Sequence, residues 1–319
     1  MMKAMIREKY GSPDILVLKE IKRPVPKPYE VLIKVLAASV NRADCFLLQG
    51  KPFVVRLTEG LYKPKTLVLG ADVAGIVEQT GSEVTQFKPG DEVFGDLSSG
   101  RFGGFAEFVT THEKYLALKP TNLSYEESAA LPMASVTALQ GLRDEGKLKA
   151  GQKLLINGAS GGVGSLAIQI AKARGANVTA VCSTLKVGHA KQQGADRVID
   201  YLKTDFTSET HLYDLIFDVV GNYSAKVMSR HLMSEGIYVA CAFSPSAILQ
   251  GTWIKMSQGK NVKVLMAKPK QADLQFISKL AEKQELKPII DQCYTLDDLP
   301  DALREMGKGS AAGKLVISL

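Results

Sequence analysis

The sequence predicts an α/β chain in two parts: a β-rich, barrel-like first part and a doubly wound parallel sheet after it. Three observations carry this. Short strand-like runs separated by Gly and Pro turns fill the first part, up to about Leu123. From Lys153 onward, strand and helix patterns alternate, the signature of a parallel sheet with crossover helices. At the head of that alternation stands LLINGASGGVGSLAIQIAKAR, Leu154 to Arg174, an apolar run that stops at a glycine-dense turn. An amphipathic segment follows the turn, with Val163, Leu166, Ala167, Ile170 and Ala171 at helical spacing.

Taken in order, Ala4–Arg7 and Val17–Ile21 are strand-like, and a Pro-rich segment from Pro24 to Pro28 leads into Glu30–Val40. There Val31, Ile33 and Val35 alternate with other residues. Leu67–Glu78 is strand-like with interruptions at Gly70 and Gly75, and the turn Lys88–Asp91 precedes a strand at Glu92 and another over Phe105–Thr110. Ser124 to Glu127 (SYEE) is a capping box and marks the transition into the second domain. Helical sequence follows over 126–130 and 134–144, interrupted at Pro132. The alternation then gives strands at Lys153–Asn157, Asn177–Cys182, Arg197–Ile199, Tyr213–Val220, Gly236–Cys241 and Val262–Leu265. Helices are expected up to Arg174, with Gly175 as the stop, over Lys186–Gln193 and over Ala225–Met233. The tail holds helices from Asp273 to Lys283 and near Leu299–Gly307, then a closing strand at Lys314–Ser318. The expected domains are 1–123, completed by 268–319, and 124–267.

At 319 residues the chain is long enough for two sizeable cores. It has no apolar leader and no membrane span, so the cytoplasm is the expected compartment. Cys45, Cys182, Cys241 and Cys293 show no metal-site or disulfide spacing and are expected as reduced thiols. The net charge of +7 favours anionic ligands. Thr252–Gln271 carries Lys255, Lys260, Lys263, Lys268, Lys270 and Trp253 with no acid. An exposed loop with an edge strand accounts for it better than a nucleic-acid surface.

The glycine turn points to a phosphate ligand. Gly158, Gly161 and Gly164 are spaced by three, and Gly162, Gly164 and Ala167 give a second pattern, GxGxxA. Such glycines allow backbone angles closed to other residues and leave room for a pyrophosphate at a helix N-terminus. A preference for NAD needs an acid at the end of the second strand, where this chain reads Cys182, Ser183, Thr184, Leu185, Lys186, with no acid before Asp196. Hydroxyls and an ammonium suit a 2′-phosphate. Charge-assisted hydrogen bonds contribute about 1.5–3 kcal/mol each, so two favour NADPH by on the order of a hundredfold.

VNRAD, GADVAG, KPGDEVFG, GGFAEF, LPMASVTAL, NGASGGVG and the terminal AAGKLVI together resemble the zinc-free quinone oxidoreductase (zeta-crystallin-like) branch of the medium-chain dehydrogenase/reductase superfamily over essentially the whole chain. The resemblance implies a GroES-like β-barrel domain, a Rossmann domain and a homodimer joined through the last Rossmann strand. It also implies NADPH-dependent hydride transfer to a quinone or an α,β-unsaturated carbonyl, with no metal. Zinc relatives carry Gly-His-Glu where this chain has Gly70-Ala71-Asp72. None of His112, His189, His211 and His231 falls at that motif. By the same resemblance Asn41 sits beside the nicotinamide, Asp44 is structural, and Thr137 lies near the carboxamide. Gly161, Gly162, Val163 and Gly164 cradle the pyrophosphate, while Ser183, Thr184, Lys186 and Tyr201 bracket the 2′-phosphate. Gly221, Phe243 and Ser244 face the ligand, and Gly313 and Lys314 form a C-terminal cofactor contact. Phe46 stands where many members have tyrosine, and the arginine often found after it is missing from Leu47–Gly50. Water or Tyr62 is the expected proton source. The alternative is an NADPH-binding regulatory or RNA-binding protein of the same fold.

Overall fold

The computed structural model describes residues 1–241 and 245–319, with backbone alone over 245–249. Phe243 and Ser244 lie outside the described residues. The chain divides into two compact units, Met1–Met133 with Lys268–Leu319, and Ala134–Ala267. The first unit thus continues past Leu123 and includes the capping-box helix.

In the first unit β1 (Met2–Ile6) pairs antiparallel with β2 (Val17–Ile21). β3 (Glu30–Val40) is the long central strand, followed by two helices that strand periodicity does not announce, α1 (Arg42–Gln49) and α2 (Val54–Glu59). α1 forms because Ala, Leu and Gln favour helix and Asp44 caps the Asn41 N–H; it stops at Gly50, whose φ of 61° is left-handed. β4 (Asp72–Thr80), β5 (Glu92–Asp96), β6 (Phe108–His112) and β7 (Leu116–Leu118) complete the N-terminal strands. The Leu67 run enters the ladder only at Asp72, with a single bridge from Val68 to Ile6 before it. α3 (Tyr125–Ala129) carries the full capping box: Ser124 Oγ accepts the Glu127 N–H at 3.1 Å and Glu127 accepts the Ser124 N–H at 3.0 Å. Pro132 does not interrupt a helix but opens one, α4 (Pro132–Gln140), because its fixed φ and missing N–H suit a first turn.

The second unit contains β8 (Lys153–Asn157), α5 (Gly162–Ala173), β9 (Asn177–Cys182), α6 (Val187–Gln192) and β10 (Arg197–Asp200). β11 (Tyr213–Asp218), α7 (Ala225–Ser229), β12 (Leu232–Ala240), α8 (Pro245–Gln258) and β13 (Asn261–Val264) follow. All six strands are parallel, in the order β10-β9-β8-β11-β12-β13. Leu154, Leu155 and Ile156 are fully buried on both faces of the sheet, which is why β8 reads as an unbroken apolar run. Two expectations change. α7 is shorter than the pattern to Met233 suggests, because that residue is drawn into β12. Trp253 and Lys255 lie on helix α8 rather than in a loop, with Lys226 Nζ 5.9 Å from the indole ring.

The chain then returns to the first unit through α9 (Gln271–Glu282), β14 (Ile290–Thr295), α10 (Leu299–Lys308) and β15 (Lys314–Ser318). Its large sheet runs β14-β15-β3-β4-β5-β7. The second edge of β3 is shared, residues 30–34 pairing with β6 and 37–40 with β15. Val31, Ile33, Val73, Val93, Phe105, Leu315 and Ile317 form the core beneath it. The ladders among the described residues form an open, branched path rather than a closed ring. No helix among them is long and apolar enough to cross a membrane.

Candidate functional site

In the second unit the strand order reverses at β8, with β9 on one side and β11 on the other. The carboxyl ends of β8 and β11 are thus the switch point, the usual ligand position of such sheets. Gly158 takes a φ of 86°, closed to ordinary side chains. A Cβ on Gly164 would lie 2.1 Å from the Gly158 carbonyl oxygen and 2.7 Å from Ala159 Cα, so only glycine lets α5 sit this close to the turn. A Cβ on Gly161 would meet nothing nearer than 3.9 Å. Gly161 is also the N-cap of α5 and offers no side-chain acceptor to the first-turn amides. Gly162, Val163 and Gly164 thus open a helix whose unpaired N–H groups and dipole suit a pyrophosphate.

The neighbouring turn is fixed by Asp218, which closes the apolar strand β11 and is fully buried. Its carboxylate accepts from Asn157 Nδ2 (2.9 Å), the Val220 and Gly221 N–H groups (3.1 and 2.9 Å) and the Tyr238 hydroxyl (2.8 Å). Asn157 Nδ2 also donates to Asn222 at 2.9 Å. Burial first, then the Asp218 charge, pushes the Tyr238 phenol up. Sequence reasoning picks out Gly221, which has a φ of 74°, but misses Asp218 and Asn157. The available signal is a carboxylate ending an otherwise apolar strand just before a glycine turn.

At the end of β9, Ser183, Thr184 and Lys186 lead into α6, and the Lys186 N–H donates to the Ser183 carbonyl at 2.9 Å. An acid is present here after all. Parallel pairing sets Asp200 opposite Cys182, and Thr184 Oγ1 donates to its carboxylate at 2.6 Å. The Leu202 N–H (3.1 Å) and the Lys203 ammonium (3.8 Å) also approach Asp200. Asp196, by contrast, is taken up by Lys172 and the Val178 N–H at the other end of β9. Tyr201 is 53% exposed beside this group, its N–H on the Cys182 carbonyl at 3.1 Å. Burial raises the Cys182 thiol; Asp200 adds to the rise and Lys186 opposes it, so both charges reach that point.

The first unit gathers a second cluster. Asn41 follows β3, Asp72 opens β4 and Lys314 opens β15. Lys314 Nζ donates to Asn41 Oδ1 at 2.6 Å and lies 3.3 Å from Asp72 Oδ2. Asn41 Nδ2 donates to Asp72 Oδ2 (2.9 Å) and to the Ser39 carbonyl (3.3 Å), and Ser39 Oγ donates to Asp72 Oδ2 (2.8 Å). The Met133 N–H, in the first turn of α4, donates to Asp72 Oδ1 at 2.9 Å. All four side chains are buried, Asn41 at 7% and Lys314 at 3% exposure. Asp44 accepts the Asn41 and Gly70 N–H groups at 2.8 and 3.0 Å, and burial pushes it up to about 7.

Asp96, paired across the ladder with Asp72, accepts the Ser98 N–H at 2.8 Å and is pushed up to about 7 by burial and then by the Asp72 charge. An acid whose folded value lies above its ordinary 3.8 stabilises the fold fully at low pH, and that contribution is lost as pH rises through about 7. Urea unfolding at pH 5, 6 and 7 is expected to show a component of up to about 1.4 kcal/mol per pH unit from this group. Asp96→Asn should remove it while keeping the Ser98 contact. An unchanged slope would contradict the assignment.

Thr137 is half-buried on α4, and Tyr62, between α2 and β4, is 85% exposed, unlike the buried Asn41 group. Phe46 is 43% exposed on α1. Among the described residues no group of three or more His, Cys, Asp or Glu is placed to hold a metal ion. In Gly70-Ala71-Asp72, Ala71 is fully buried and Asp72 is engaged by the donors above.

Known proteins match both units. The alcohol dehydrogenase GroES-like domain family matches residues 27–121, and the zinc-binding dehydrogenase family matches residues 193–317. The 2-methylene-furan-3-one reductase of Solanum lycopersicum is 36% identical, over 99% of this chain and 79% of its own length. The chain belongs to the zinc-free quinone oxidoreductase branch of the medium-chain dehydrogenase/reductase superfamily. The NADPH-dependent alkenal/one oxidoreductase of Arabidopsis thaliana is 34% identical over the same shares of the two chains. The quinone oxidoreductase structure from Coxiella burnetii has a TM-score of 0.90 and 30% identity, covering 100% of this chain and 99% of that one. This quinone oxidoreductase relative is accordingly an enzyme that uses a pyridine nucleotide, and the regulatory or RNA-binding alternative is not favoured. Its residues fit that cofactor: the N-terminus of α5 carries no side-chain cap, and Gly164 lets it sit close to the Gly158 turn, an arrangement that would suit a phosphate.

Proposed function

We propose that the protein is an NADPH-dependent reductase of quinones or α,β-unsaturated carbonyls. The observation that carries this is the glycine turn leading into the uncapped α5, with Lys186 and Ser183 at the end of the neighbouring strand. When bound, NADPH supplies the hydride. The α5 amides hold the pyrophosphate, and the Asp218 network keeps Gly221 in the turn beside it. Lys186 and Ser183 take the 2′-phosphate, with Tyr201 flanking, while Thr184 and Lys203 occupy the Asp200 carboxylate and weaken its repulsion. Asn41 and Thr137 orient the nicotinamide end, and Tyr62 or water returns the proton to the reduced product. The sheet order ends at β13, whose outer edge suits pairing with a second copy in a homodimer. Names of relatives support the substrate class, one a reductase of a furanone, one of alkenals and enones, one of quinones.

NADPH oxidation measured with 1,4-benzoquinone and with small enals should show turnover of at least one class. Tight NADPH binding without turnover of either would overturn the proposal.

A further inference from the structure

We infer that Lys314 is a positioning residue: its buried ammonium fixes the Asn41 amide so that Asn41 meets a ligand only as a hydrogen-bond acceptor. This rests on the proposed placement of Asn41 beside the nicotinamide. The geometry comes from the first unit alone. Asn41 has two N–H donors, and both point inward, to Asp72 Oδ2 and to the Ser39 carbonyl. Its carbonyl oxygen takes the Lys314 ammonium at 2.6 Å. Turning the amide over would set its NH₂ against an ammonium and its oxygen against a carboxylate, two repulsive contacts in a buried site. One orientation is therefore fixed, and the remaining lone pair of Oδ1 is all that Asn41 can offer outward.

The charges explain why a lysine does this. Asp44, Asp72 and Asp96 surround the cluster, and the Lys314 charge acts against the rise of both Asp44 and Asp96. Asp72 Oδ2 accepts from Ser39 and Asn41 and faces the same ammonium, so its role is to hold Lys314 over the amide. Asn41 and Asp44 stand as a capping-box pair at the start of α1; Asp44 accepts the Asn41 N–H, while the Asn41 side chain makes no cap hydrogen bond and its oxygen takes the ammonium. The expected cofactor contact of Lys314 thus becomes an action through Asn41. The group Asn41 selects is an N–H or O–H donor, such as a carboxamide.

A double-mutant cycle tests this. Hydride transfer at saturating NADPH should fall about tenfold in Lys314→Met, the scale of one charge-assisted hydrogen bond. In the Asn41→Ala background the same change should cost less than about twofold, because the group it positions is gone. An equal factor in both backgrounds would overturn the inference. If Lys314→Met does not fold, the neutral pair Asp72→Asn with Lys314→Met takes its place in the cycle, since replacing both charges avoids a lone buried carboxylate. A second readout needs no turnover. With asparagine-selective ¹⁵N labelling, the Asn41 side-chain NH₂ signals should shift between the wild-type protein and the Lys314 variant. Unmoved signals would overturn the inference even if quinone and enone reduction are absent, whereas absent turnover with shifted signals would overturn only the proposed function.

Discussion

Gly164→Ala is expected to weaken NADPH binding by at least about tenfold and to lower the unfolding midpoint. The added methyl would lie 2.1 Å from the Gly158 carbonyl oxygen and 2.7 Å from Ala159 Cα, both backbone atoms that no rotamer change can clear. Overpacking of this kind costs about 1–3 kcal/mol. Relief requires α5 to move away from the turn, carrying the Gly162 and Val163 amides off the phosphate position. Gly161→Ala separates the two effects. Its methyl meets nothing within 3.9 Å and its φ of −80° suits alanine, so stability should hold. Affinity should still drop, because the open side of Gly161 is where the proposed function sets the pyrophosphate. Calorimetric titration with NADPH and thermal unfolding of both variants check this; unaltered affinity in both would remove the cradle from the account.

Lys186→Glu is the other large effect. In the proposed site an ammonium facing the 2′-phosphate is replaced by a carboxylate, just past a strand end where Asp200 already lies opposite Cys182. Thr184 and Lys203 already engage the one carboxylate there, so a second would add to the negative charge. NADPH affinity should fall by on the order of a hundredfold at low salt, and by less as salt screens the half-exposed site. NADH, without the phosphate, should bind the variant about as well as the wild type. A parallel loss for both coenzymes would mean that Lys186 holds the fold of the turn and not the phosphate.

Features that depend on near neighbours in sequence were legible in it. The Leu154–Arg174 strand, turn and helix, the Ser124 capping box and the alternation of the second unit follow from local periodicity and turn chemistry. What pairing brings together was not. Asp200 becomes a neighbour of Thr184 only because β9 and β10 lie in parallel register. Asn41 and Lys314 are 273 residues apart, and no spacing rule joins them. In the sequence Asp218 is one more residue of an apolar strand, and the turn it holds through the Val220 and Gly221 N–H groups exists only in the fold. Helix α1 was hidden because VNRAD continues a β-branched strand, and the switch to helix is made by Asp44 reaching back to the Asn41 N–H.

The account turns on the adenine-ribose phosphate being held at the carboxyl end of β9. Side-by-side titration of the wild-type protein with NADPH and NADH tests that most directly. NADPH is expected to bind at least about tenfold more tightly, a difference of about 1.4 kcal/mol. Equal affinities would show that the group opposite Asp200 is read as a plain hydroxyl, and would contradict the account.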